Sequence, residues 1–474
     1  MTKLFTKVCC ALFVCCLFSQ QSMAQWVVQG PQTADATPVP VGVTAGAASH
    51  ISLATSPQGV LYMAFVDAAN ESKLSVMQYN ATTGWAAVGT AGVSSGAAGT
   101  SSLAIAPDGT PYVYFVDLAG ANLNKGVVMK FNGTAWETVG TQSALQTGTI
   151  AWPVIAINAA GVPHIAYRET TVANNPSMIR KFDSATGEWV DIGSPASAQA
   201  GVSRHSIAFS GDGKLYWGGQ DWARSSVKVY SGEGTTWTKV GTGNTTGGAR
   251  AALMTVHENV PYLLYQESGS GALNNNLSVY KFTGLGETQW EAVGPMQFSG
   301  GGVDFANIAV TNGGVPVVAY EESATTKAVA KMYNSTTNTW DYVATPWGDA
   351  LSQGLANYTA MTKGPNGNIY VAFSDAGLEN KAVVLQYTAS SVTSSSKDLD
   401  RKLGLSVYPN PSASSFRFAA AGKFSYTVYN NAGQVMEQGQ GVGESKVGAS
   451  LIAGLYYVKL QTEAGSQTLR LLKQ

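Results

Sequence analysis

Seven carboxylates recur along the chain at matching places. Asp67, Asp117, Glu169, Asp221, Glu267, Glu322 and Asp375 each end an apolar run that begins at a glycine, with Asn259 standing for the glycine in one case. Two such acids brought together, Asp221 and Glu267 for example, would serve as acid and base in a glycosidase. Seven on one rim would make a cation site. Their regularity argues for a third role, because a residue present in every repeat serves what every repeat needs, such as accepting backbone N–H bonds in the following turn. Positions that break the pattern are better candidates for chemistry. Nine residues before each turn stand His50, Thr100, Trp152, Arg204, Arg250, Phe305 and Tyr358, and His205 follows Arg204. Aromatic faces suit sugar C–H surfaces or apolar ligands, and arginines suit carboxylates. His205 with Tyr358 and Arg204 or Arg250 would serve a polysaccharide lyase, in which arginine neutralises a uronate carboxylate while histidine or tyrosine removes the α-proton. The bland alternative is that several of these side chains plug the mouth of a channel. His164 and His257 have no zinc-ligand spacing, and no nucleophile elbow or phosphate-binding glycine loop occurs. No metal and no cofactor are expected.

These residues are positioned by a repeat. Trp-x-x-Val/Ile-Gly occurs at Trp85, Trp136, Trp189, Trp237 and Trp290, and a sixth copy at Trp340 ends in Ala344. Successive tryptophans are 51, 53, 48, 53 and 50 residues apart, a period that marks stacked supersecondary units. There are seven apolar runs but only six downstream tryptophan strands, and the missing copy, Trp26-Val27-Val28-Gln29-Gly30, lies at the opposite end. A unit of four short strands explains this. In one copy they are a, Leu103 to Ala106; b, Pro111 to Val116; c, Val127 to Phe131; and d, Trp136 to Val139, all rich in Val, Ile, Tyr, Phe and Trp and separated by turn residues. Strand b is apolar at nearly every position, as expected when both faces of a sheet are covered. The expectation is an all-β chain: a seven-bladed β-propeller over residues 25–388, with the N-terminal strand closing the last blade. A linear β-solenoid is the alternative, and it has no need of a displaced first strand. Loops d–a and b–c share one face in this strand order, so the irregular ring sits beside the ring of acids.

Composition agrees. Charged residues make up 12% of the 474, about half the usual ~25%, and 53 glycines mark a turn-rich chain. Cys9, Cys10, Cys15 and Cys16 are the only cysteines, and all lie within or beside the apolar run Val8 to Phe18, between Lys3 and Lys7 and the small-residue stretch ending at Ala24. This reads as a secretory signal peptide, residues 1–24; the run falls short of the ~20 residues of a membrane span. Residues 25–388 carry 17 basic against 24 acidic side chains, so nucleic acid is not an expected partner.

Residues 389–404 break the repeat with serine and then charge, as a linker does. The remainder, 405–474, holds Tyr408-Pro409-Asn410-Pro411, then Tyr429-Asn430-Asn431-Ala432-Gly433-Gln434-Val435, then Leu451-Ile452-Ala453-Gly454-Leu455-Tyr456-Tyr457-Val458, and ends Leu471-Leu472-Lys473-Gln474. By pattern it is a small β-sandwich. It resembles the type A C-terminal sorting domain of type IX secretion cargo, while the larger region resembles kelch-like and WD-repeat-like propellers in architecture only. The first resemblance implies export through the periplasm and outer membrane by the type IX machinery, which reads residues 405–474, leaving the chain secreted or on the outer cell surface. The expected function is therefore binding of an extracellular glycan or protein, with His50, Trp152, Arg204, His205, Arg250, Phe305 and Tyr358 as ligand-binding candidates. The alternative is a carbohydrate-active enzyme, a polysaccharide lyase or glycoside hydrolase, with His205, Arg204, Arg250 and Tyr358 as its catalytic candidates.

Overall fold

A glycine or its equivalent opens each repeat for a conformational reason. Gly59, Gly109, Gly161, Gly213, Gly314 and Gly367 have φ between 77° and 94°, and Asn259 takes φ 67° in their place. Only glycine adopts this left-handed region without cost, and asparagine tolerates it better than most. The turn folds strand a back onto strand b, and strand b is enclosed: Leu61–Asp67 and Ile369–Asp375 are buried at every position.

The computed structural model describes residues 25–34, 39–141, 145–146, 148–195, 202, 204–221, 226–234, 236–241, 248–268, 275–284, 289–388, 406–408, 412, 414–430, 434–462 and 465–473. The expected signal peptide and linker, and Pro409 to Pro411, lie outside them. The chain divides into two compact units, Met1–Ala389 and Ser390–Gln474.

In the first unit the described residues form seven four-stranded antiparallel sheets. Their innermost strands are Ala48–Thr55, Ala98–Ile105, Ile150–Ile157, His205–Phe209, Gly248–His257, Val303–Val310 and Ala356–Lys363. Each packs on the inner strand of the next sheet, and the last packs on the first. The ring is therefore closed, and the architecture is a β-propeller. Six sheets are continuous in sequence. The seventh takes its outer strand, Gln25–Val28, from the start of the chain, paired antiparallel with Thr388 to Leu385.

The tryptophan motif holds sheet to sheet. Trp136 donates its indole N–H to the Val88 carbonyl of the preceding sheet at 2.7 Å, Trp189 to Val139 at 2.9 Å, Trp290 to Val240 at 2.9 Å and Trp340 to Val293 at 3.0 Å. Closure uses the same bond: Trp26 donates to Val343 at 3.0 Å and Trp85 to Gln29 at 2.6 Å. The acceptor always precedes the last residue of the motif. That glycine leaves room for the next ring, since a Cβ on Gly89 or Gly140 would sit 3.0 Å from Phe131 or Trp189. One link differs. The Ile192 carbonyl accepts from Gly234 N instead, and the buried Trp237 indole N–H has no partner among the described residues.

The strands of the second unit, Ser406–Tyr408, Phe416–Asn430, Val435–Val447, Gly454–Thr462 and Gly465–Lys473, are joined by hydrogen bonds through the long strand Phe416–Asn430. The register of the 15-residue strand slips between Ala419 and Lys423, where a bulge bends the sheet. Phe416, Phe418, Phe424, Val428, Val458, Leu460 and Leu471 form the unit's own core.

Candidate functional site at the mouth of the propeller axis

The irregular ring sits on a backbone irregularity. The pairing of strands a and b slips between Ser49 and Ser52, Ala98 and Ser101, Ala151 and Val154, Ala249 and Ala251, Asp304 and Asn307, and Asn357 and Ala360. His50, Thr100, Trp152, Arg250, Phe305 and Tyr358 are therefore bulged residues, and a bulge re-aims its side chain. Four of them are strained: His50, Trp152, Phe305 and Tyr358 have φ between 50° and 57°. That conformation costs a bulky residue ~1–2 kcal/mol and persists only where its surroundings enforce it. Part of the enforcement is visible. Backbone groups beside the bulges are taken by side chains of the neighbouring sheet, Leu103 N by Ser52 Oγ at 3.0 Å, Ile155 N by Ser102 Oγ at 3.2 Å and the Thr359 carbonyl by Asn307 Nδ2 at 2.6 Å.

The ring encloses a cavity of about 400 Å³ on the axis, to which all seven sheets contribute. On one side the His50 and Tyr358 rings lie 4.8 Å apart and the Phe305 and Tyr358 rings 5.2 Å apart, all tilted. Across the axis, by sheet order, the Arg204 guanidinium lies 4.6 Å from the Trp152 ring centre. Burial lowers the pKa of Arg204, opposed by Asp304, the acid whose charge it feels. No ion pair of Arg204 occurs among the described residues. Burial also lowers the His50 pKa, so its imidazole is neutral at pH 7; Nδ1 is 3.2 Å from Ser49 Oγ.

His205 lines the cavity but faces the protein. It is 3% exposed, its Nδ1 lies 3.4 Å from Ser177 Oγ, and Trp217 Nε1 donates to that same hydroxyl at 3.2 Å. Burial pushes its pKa down to about 4, against a smaller opposing pull from the Ala166 and Trp152 carbonyls. The imidazole that meets Tyr358 is thus His50, where sequence reasoning had paired Tyr358 with His205. The Arg250 side chain lies outside the described residues; its backbone is bulged like the others. His164 and His257 are elsewhere, against Phe209 at 4.9 Å and Lys363 Nζ at 3.3 Å.

The recurring acids hold loops. Asp67 accepts from Ala69 N and Ser75 Oγ, both at 3.0 Å, and Asp117 accepts from Ala119 N at 3.0 Å. Asp375 accepts from Gln353, Gly354 and Gly377 N–H groups at 2.7 to 2.9 Å. Glu169, Glu267 and Glu322 bond neighbouring hydroxyl or amide side chains; the Asp221 side chain is not among those described. No aspartate or glutamate lines the axial cavity among the described residues. The acids near it that sequence reasoning missed are Asp304 and Glu321, cross-strand partners. Burial and Asp304 raise the Glu321 pKa. The available signal was the Glu321-Glu322 doublet, whose two members must face opposite ways on a strand.

Residues 406–474 match the family described as the secretion system C-terminal sorting domain. This tail directs the chain by type IX secretion to the cell surface or the medium. No curated protein matches the chain. Solved structures of similar fold include the polysaccharide lyase Uly1, 13% identical over 73% of this chain and 90% of that one, with a TM-score of 0.47. The Dos1 propeller is 12% identical over 73% and 81%, with a TM-score of 0.44. The Aleuria aurantia lectin AAL is 13% identical over 63% and 96%, with a TM-score of 0.41. These likenesses concern the fold alone. No described helix is long and apolar enough to cross a membrane.

Proposed function

We propose that the exported propeller binds an extracellular glycan in its axial mouth, without catalysis. The observation that carries this reading is the pairing of the His50–Tyr358–Phe305 aromatic wall with the Trp152-stacked guanidinium of Arg204 across one enclosed cavity. Aromatic faces pack on sugar C–H surfaces, and a guanidinium with no described counter-ion accepts an anionic substituent. The test is equilibrium binding of the secreted chain to neutral and acidic polysaccharides. Binding that falls about tenfold or more in Tyr358→Ala and Arg204→Gln, with the melting temperature of both held, supports the site. Equal binding by both variants would move recognition elsewhere on the molecule.

One arrangement favours a second reading, a polysaccharide lyase. His50 is neutral, lies tilted against Tyr358 and lines the same cavity as Arg204, so a uronate held by the arginine would have a competent base within the cavity for its α-proton. Ultraviolet absorbance of an unsaturated uronate product in the same assays separates the two. Product that disappears in His50→Ala and persists in His205→Gln would establish the lyase with His50 as its base. The paired-carboxylate hydrolase has no support from the cavity, whose described lining is free of acids.

A further inference from the structure

We infer that the axial mouth takes the end of a glycan chain, one terminal sugar carrying a carboxylate, and excludes internal segments. This deepens the glycan-binding reading and rests on it. The first argument is enclosure. Seven inner strands surround the cavity, each packed on the next and the last on the first. Among the described residues the inner strands leave no gap between sheets, so a sugar residue at ring level must enter along the axis. An internal residue needs a second exit. Leu253, Asn307 and Met361 line the cavity and also a second one of about 400 Å³, whose lining comes from the fifth, sixth and seventh sheets alone. Asn307 is fixed at this boundary, with Nδ2 donating to the Phe305 and Thr359 carbonyls at 3.0 and 2.6 Å. No described residue of the other four sheets lines both cavities, so the mouth is the opening the ring offers a sugar residue.

The second argument is size. About 400 Å³ lies near the small end of the ~300–1,000 Å³ range of small-ligand sites, which suits one or two sugar rings. The third is charge. The guanidinium of Arg204 lies over the Trp152 ring, 4.6 Å from its centre, and lines the cavity with no ion pair among the described residues, so its N–H groups are available to a carboxylate. The strain at His50, Trp152, Phe305 and Tyr358 fits the same picture, because the left-handed bulge turns their rings inward where an ordinary strand would alternate its side chains.

The experiment is calorimetry on the full secreted chain. The probes are glucuronate and galacturonate, their methyl esters, and the corresponding oligouronates from dimer to octamer. End-on binding predicts a Kd per molecule that stays within about threefold from dimer to octamer, and methyl esters at least about tenfold weaker than the free acids. Arg204→Gln, checked for an unchanged melting temperature, removes the preference for acid over ester. Affinity that climbs about tenfold or more with length would overturn the end-on inference and leave glycan binding standing. Esters that bind as well as acids would overturn the carboxylate assignment. Silence from every uronate and every neutral polysaccharide would overturn the glycan reading itself.

Discussion

The tryptophan belt between the sheets and the ring at the axial mouth belong to the same repeats, yet they obey opposite rules. In the belt the side chain is constant and the backbone unstrained: six indoles donate to the equivalent carbonyl of the preceding sheet. At the mouth the backbone bulge recurs in six of the seven sheets and the side chains differ, being His50, Thr100, Trp152, Arg204, Arg250, Phe305 and Tyr358. Four of these carry left-handed strain. The belt answers a need common to every sheet. If the mouth is the binding site proposed above, it answers a need of the whole ring, one that an asymmetric ligand on the axis would set. On that proposal constancy locates stability and departure from constancy locates recognition.

Trp26 is the strongest place to break that contrast. It is 1% exposed, packs at 5.5 Å on Tyr387 and supplies the donor that ties the seventh sheet to Val343. Trp26→Ala is expected to cost ~3–5 kcal/mol in chemical denaturation of the secreted chain. Deleting residues 25–30 should cost more and promote aggregation through the exposed edge of Lys381–Thr388. Arg204→Gln at the mouth should change stability by less than ~1 kcal/mol. Similar losses in the two variants would erase the division between belt and mouth.

His205 sharpens the contrast from inside the mouth, because it is a ring neighbour with a structural role. Its imidazole titrates near 6.5 when unfolded and near 4 when folded, since burial disfavours the charged form. Between those values the unfolded chain binds a proton that the folded chain refuses. The stabilising contribution is complete above pH 6.5 and is lost as pH falls toward 4, at most about 3 kcal/mol. Denaturation midpoints measured from pH 7 to pH 4.5 should fall more steeply in the native protein than in His205→Gln. Parallel curves would mean that the imidazole reaches solvent, which would restore it as a catalytic candidate.

Much of this could be read from residues alone. Counting back from the glycine turns placed six of the seven positions around one cavity, the Arg250 side chain lying outside the described residues, and the stray copy at Trp26 located the closing strand. The gaps have a common physical cause. Sequence period says which strand a residue occupies, but a single bulged residue reverses which face the next one presents. Arg204 stands just outside its strand, and the pairing of His205 with Gly219 is regular, without the slip found in the other inner strands. Both line the mouth, but the His205 imidazole packs into the protein, and no local signal separates them. His50 and Tyr358 meet because the ring closes, a contact across most of the chain. The sorting unit shows the same limit: its alternation marked strands correctly, while the slip between Ala419 and Lys423 that keeps the sheet continuous left no mark.

The smallest expected effect lies within the belt, at its odd link. Trp136 donates to Val88, whereas the Trp237 N–H is buried without a partner among the described residues because Gly234 N has taken the Ile192 carbonyl. Phenylalanine keeps most of the ring and removes the donor. Trp136→Phe deletes a made hydrogen bond and leaves the Val88 carbonyl short of a partner, a loss of about 1 kcal/mol or somewhat more. Trp237→Phe deletes an unsatisfied donor, so it should be neutral or slightly stabilising. The measurement is the difference between the two denaturation free energies. Equal costs would show that the indole N–H contributes nothing at either seam and that the belt is held by ring packing alone. A difference of about 1 kcal/mol in the expected direction would make the hydrogen bond the reason the motif demands tryptophan, and would mark the seam between the third and fourth sheets, where Arg204 stands, as the one place the belt has let it go.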